Sequence, residues 1–182
     1  MEKPSDFDST QSLQSFTNFE KLEKGGHICR ILKAEKCLSK TGRVMLKLFL
    51  DTDKTDKQPE FFKRKYDSDK RENKKWGCIF YQSVQKFNAS KTNEHFKALI
   101  ENIEQSNNWR VVWGDRFFEN LQDKLIGCVF RGEEYIGSDG MTHKITKCFA
   151  STTVEEIKRG VPIPKDKLLS SNELTNFDEL PF

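Results

Sequence analysis

From Val44 to Leu50 the chain keeps a period of two. Val44, Leu46, Leu48 and Leu50 fall on one side of an extended segment, and Met45, Lys47 and Phe49 fall on the other. A helix would scatter those leucines around its axis, so residues 43–52 read as a strand. One face belongs in a core. The other carries a cation and an aromatic ring. Such a strand needs a paired neighbour and a core for its leucines, so it belongs in a sheet.

Further strand signals flank this one. Gly25-Gly26 opens a stretch from His27 to Cys37 in which apolar and polar residues partly alternate, and Ser39 to Gly42 is a turn. Phe61 to Tyr66 reads as a short strand, and Trp76 to Val84 as a longer one rich in aromatic and β-branched residues. Leu125 to Ile136 and Met141 to Ala150 are joined by the hairpin turn Gly137 to Gly140, with Gly127 and Gly132 expected at bends or bulges. The clearest helix runs from Asn93 to Gln105 behind Thr92 as N-cap. Phe96, Leu99, Ile100 and Ile103 make a single apolar stripe on it. Trp109 to Phe118 is aromatic and ambiguous. Thr153 to Glu156 is a capping box that starts a short helix ended by Gly160.

Strands, one helix, then two more strands is the element order of the five-stranded OB barrel, where the helix plugs one end. The expected fold is therefore mainly β: an OB-fold barrel with one helix between strands three and four, a short C-terminal helix and flexible termini. Other small β folds share this order. The expected division is an N-terminal arm over 1–24, a barrel over 25–160, and a linker with an acidic tail over 161–182.

Phe61 to Trp76 holds seven Lys or Arg against three acids, a local excess larger than the whole chain's +3. Its cations interleave with rings. Single-stranded nucleic acid needs this mixture, because cations follow phosphates and flat rings stack on bases. The candidate binding residues are Phe62, Lys63, Arg64, Lys65, Tyr66, Lys74, Lys75 and Trp76, together with Lys47, Phe49 and Tyr81 from the strands. The same run would also serve as a solvated lysine-rich loop with its rings turned inward. Phe80 and Tyr81 are neighbours, so one points in and the other out. Arg131 and Tyr135 flank Glu133 and Glu134, whose charge would repel phosphate.

The chain closes on Asp178, Glu179, Leu180, Pro181 and Phe182. An apolar pocket with a basic rim could take the terminal ring and carboxylate together, and proline lowers the cost of ordering the peptide. This ending resembles the C-terminal tip of cellular single-stranded DNA-binding proteins: acids, a branched aliphatic, proline and phenylalanine. The resemblance implies recruitment of replication, repair or recombination proteins. The body is similar to a family of phage and prophage OB-fold single-stranded DNA-binding proteins. The likeness runs through Gly25-Gly26, Asp69 to Gly77, Gln82-Ser83, Phe96 to Asn107, Gly127 to Tyr135 and Val154 to Gly160. Asn108 stands where that family's pattern would have proline.

The expected function is thus non-sequence-specific binding of single-stranded DNA in phage replication, recombination or repair, with partners recruited by the tail. The alternative is an OB-fold adaptor or recombination mediator acting mainly through protein contacts. Catalysis is not expected. No metal-nuclease spacing, Ser/His or Cys/His grouping, or phosphate-binding glycine loop is present. Nor is a metal or cofactor expected: the five cysteines form no CxxC pair and read as small buried groups in a reducing compartment. No apolar run approaches the ~18 residues that cross a bilayer, and Met1 to Ser15 is polar, which together point to the cytoplasm, that of a bacterial host if the chain is phage-encoded. The oligomeric state, including a homo-oligomer, is left open.

Overall fold

The computed structural model describes residues 20–86 and 91–169. Most of the expected N-terminal arm, with Phe7, Phe16 and Phe19, and the whole tip Asp178 to Phe182 lie outside these residues. The architecture is mainly β. Five antiparallel strands, β1 (Gly25–Leu38), β2 (Val44–Thr52), β3 (Ile79–Ser83), β4 (Leu125–Ile136) and β5 (Thr142–Thr152), form one sheet in the order β3-β2-β1-β4-β5. Among the described residues four helices accompany it: α1 (Phe61–Ser68), α2 (Glu94–Asn107), α3 (Phe117–Leu121) and α4 (Val154–Arg159).

The period-two pattern fixes the centre of the sheet. Leu46, Leu48 and Leu50 are buried, each on the side of β1 residues Ile31 and Ala34, while Lys47 and Phe49 turn outward. A one-residue slip would put three leucines in water and Lys47 inside, a penalty of about 5–9 kcal/mol. The register shift in β1 between Ile31 and Lys33 lets Leu32 step out of the ladder and keeps both Ile31 and Ala34 inward. Helix α2 lays Phe96, Leu99, Ile100 and Ile103 on the inner side and touches β3, β4 and β5. Its N-cap is Asn93, whose side chain accepts from the His95 amide, rather than Thr92. Asn108 ends it with φ 46°, a left-handed conformation closed to proline. Thr153 caps α4 as expected, accepting from Glu156 N at 3.2 Å.

Two larger expectations are corrected as well. First, the sheet is not closed into a barrel: β3 and β5 remain its two edges. Across the gap, β5 residues Lys144 to Thr146 face α1 and Gly77 over a cleft of about 600 Å³ that also takes in Glu20 to Leu22. Leu22 is buried there and its carbonyl accepts from the Thr146 hydroxyl. Second, Phe61 to Tyr66 is not a strand but the body of α1. The reason is a long-range cap. Asp51 at the end of β2 accepts from the Phe62 and Lys63 amides, and Thr52 Oγ1 accepts from Phe61 N. These are orphan donors of a helix first turn, which no local residue satisfies. Burial pushes the Asp51 carboxyl up, and these amides offset part of that shift.

Gly127 and Gly132 are needed for close approach rather than for bends. A Cβ on Gly127 would sit 2.5 Å from Thr153 O, and one on Gly132 would sit 2.8 Å from the Asp166 carboxylate. The irregularity in the β4–β5 ladder falls instead between Val129 and Phe130. Residues 161–169, expected as linker, dock on the sheet. Lys167 bridges to Glu133, and Asp166 pairs with Lys24 and accepts from Gly132 N. No helix among the described residues is long and apolar enough to cross a membrane.

Candidate functional site

The alternation that buries the leucines builds the outer face of β1, β2 and β3. The register sets Lys47 between Glu35 and Tyr81, Phe49 between Lys33 and Ile79, and Met45 between Cys37 and Ser83. Three rows of side chains therefore cross the strands. The Lys47 and Lys33 ammonium groups lie 4.6 Å and 5.5 Å from the centre of the Phe49 ring. Both also reach Glu35 at 2.7 Å. Hydrogen bonds from Lys33 and Lys47 hold the Glu35 carboxyl below its ordinary range, and the bond to Glu35 raises Lys47. Tyr81 is 50% exposed beside Lys47. Phe80 packs inward opposite Leu48, which settles the orientation of that pair. Long lysine stems can swing their charges aside, so a flat ligand could take the Phe49 face while the ammonium groups turn to anions.

A second cation–aromatic group stands at the end of the same strand pair. Trp76 Nε1 donates to the carbonyl of Leu50, the residue after Phe49, at 2.8 Å. Tyr66 lies 5.5 Å from Trp76, and the Lys74 ammonium sits 4.4 Å over the Tyr66 ring. Both rings are half-buried. Lys47, Phe49 and Tyr81 are thus brought together, and Tyr66, Lys74 and Trp76 form the neighbouring cluster.

The rest of the basic run disperses. Phe62 is only 5% exposed, stacked on Phe130 at 6.1 Å and edge-on to Phe61 at 5.2 Å. It is a core residue, and its ring is not presented for stacking. Lys63, Arg64 and Lys65 follow one another around α1 at about 100° per residue, so the three do not share one face: Arg64 and Lys65 both line the cleft facing β5, and Lys63 does not. Lys63 pairs with Asp67 and Arg64 with Glu20. Lys65 borders the cleft facing β5, and Lys75 is exposed on the loop before β3.

Lys33 and Glu35 were not among the expected site residues, although their i, i+2 spacing was visible. Only the pairing of β1 with β2 shows that they flank Phe49 and Lys47. A separate pair, Arg131 with its guanidinium 4.1 Å over Phe149, lies on β4 and β5. The buried acids are bound within the fold. Asp53 accepts from Arg30 and Thr55, and Asp56 accepts from His27, Ile28 N and Gln58 N. Cys29, Cys78 and Cys128 are buried free thiols, and burial pushes Cys29 up to about 12. Among the described residues no group of His, Cys, Asp and Glu has the arrangement to hold a metal ion. No protein-family model matches the chain, and no curated protein is similar to it in sequence.

Proposed function

We propose that this chain is a non-sequence-specific single-stranded DNA-binding protein of OB type, holding the strand on the outer face of β1, β2 and β3. The observation that carries this reading is Phe49 lying under two lysine ammonium groups with Tyr81 half exposed alongside. The strand order supports the OB assignment. An OB domain is a partly open five-stranded Greek-key barrel that binds on strands two and three. Here β1 pairs with both β2 and β4, and α2 lies between β3 and β4 in sequence. The proposal includes the cytoplasm as the place of action, a phage-type role in replication, recombination or repair, and partner recruitment by Asp178 to Phe182.

Fluorescence anisotropy with a dT oligomer and with duplex of equal length tests it. The single strand is expected to bind more tightly, with log affinity falling by about 0.7 per phosphate contact on a log-salt scale. Equal affinity for both forms would sink the reading.

Glu35 gives a sharper expectation. It is an internal anion competing with phosphate for Lys33 and Lys47. Glu35→Gln is expected to tighten dT binding about two- to fivefold, as exposed ion pairs are weak, and to steepen its salt dependence. The adaptor reading is favoured by one observation, the internal pairing of Lys63, Arg64 and Arg71. Lys33→Glu with Lys47→Glu separates the two readings: an adaptor would lose no oligonucleotide binding.

A further inference from the structure

We infer that Trp113 is a second base-stacking position, on a groove that extends the proposed DNA path past the Met45 end of the sheet; this rests on the single-stranded DNA reading above. Trp113 is 61% exposed, an unusual state for the largest apolar side chain. Its ring is not loose. One face stacks on Phe117 at 5.0 Å and 14°, and its edge meets Phe96 at 6.3 Å. Phe117 and Phe96 are both buried core residues. The indole is therefore held from behind, and docking a base on its surface would freeze little additional motion.

The surroundings suit a nucleotide. A groove of about 290 Å³ runs between Trp113 and the sheet, lined by Lys36, Val44, Met45, Val84 and Phe118 among others. Among the described residues no acid lines it, and the one charged group lining it is Lys36. Trp109 offers the contrast: Lys124 covers its ring at 4.6 Å, and the hollow beside it is lined by Glu101, Glu104 and Arg110, the last two paired with each other. A base has no open ring face to stack on there, as it has at Trp113. Met45 joins the two surfaces. It lines the groove, and it pairs with Ser83 in the row next to Lys47 and Tyr81. A strand lying over Phe49 and Tyr81 can thus continue to Trp113, past a Glu35 carboxylate already paired with Lys33 and Lys47.

The test uses the full chain and dT oligomers of increasing length, with wild type, Trp113→Ala, Trp113→Phe and Lys36→Glu. Long oligomers are expected to bind Trp113→Ala about 5- to 150-fold more weakly, the range for loss of one stacked base. The shortest oligomers that bind should not distinguish it from wild type. Trp113→Phe should recover most of the affinity, and Lys36→Glu should weaken only the long oligomers. Quenching of tryptophan emission by long dT should shrink in Trp113→Phe, a readout that does not depend on the alanine variant folding well. Full affinity of Trp113→Ala and Lys36→Glu at every length, with tight wild-type binding, would overturn the inference and leave the parent reading standing. Wild type that fails to prefer dT over duplex would overturn the parent reading itself. A change in oligomer mass on Trp113→Ala without any change in dT affinity would assign the groove to protein contact and likewise overturn it.

Discussion

A chain carrying Phe49→Ala and Lys47→Glu together is expected to bind a dT oligomer about 100-fold or more weakly than wild type. The stacking loss alone is worth about 1–3 kcal/mol. The reversed charge removes a phosphate contact and sets a second carboxylate beside Glu35, its cross-strand partner. The two effects separate by salt titration. Phe49→Ala should lower affinity at every salt concentration without changing the slope. Lys47→Glu should flatten the slope by about 0.7. Both residues lie outside the core, so the fold should persist, with thermal unfolding lowered somewhat by the like-charged cross-strand pair. Wild-type affinity in the double variant would remove β2 from the binding surface.

Asp56→Ala is expected to have the largest effect on stability, a loss of about 3–5 kcal/mol, as when one partner of a buried pair is removed. The His27 ring is completely buried. Its Nδ1 lies 2.8 Å from Asp56 Oδ1 and its Nε2 lies 3.1 Å from Glu23 O. Asp56 also accepts from the Ile28 and Gln58 amides, so one carboxylate ties the start of β1 to the loop after β2. Alanine would strand the ring and both amides without their acceptor. Against the usual total of about 5–15 kcal/mol, this removes roughly a fifth or more of the fold's margin. The pair also sets a pH dependence. Burial raises Asp56, but the bonds from His27, Gln58 and Ile28 outweigh it and the carboxyl titrates below 3.8. Its stabilising contribution is therefore complete above pH 3.8 and disappears as pH falls through the lowered value. Asp53, also held low, acts in the same direction. Urea unfolding at pH 7 and pH 3 should show the wild type losing more stability on acidification than Asp56→Ala. Equal losses would mean that the pair contributes nothing to acid sensitivity.

Local periodicity determined much of this protein. Alternation along Val44 to Leu50 was enough to sort the leucines inward and Lys47 and Phe49 outward, since side chains on a strand have no third direction. The stripe on α2, the hairpin between β4 and β5, and the Thr153 cap were legible for the same reason: each rests on residues within a few positions of one another. The tertiary structure decided what depends on partners distant in sequence. Phe61 to Tyr66 is helical because Asp51 and Thr52, nine or more residues earlier, accept its first amides. That helix turns Phe62 into the core and sets Lys63 apart from Arg64 and Lys65, which border the cleft facing β5, so the run from Phe62 to Lys65 does not add its charge to the Phe49 surface. Lys33 and Glu35 join Phe49 only through the β1–β2 register, and Trp113 stands exposed only because Phe117 and Phe96 back it. Composition can count cations and rings, but which of them share a face is settled by hydrogen bonds and packing between segments far apart in the chain.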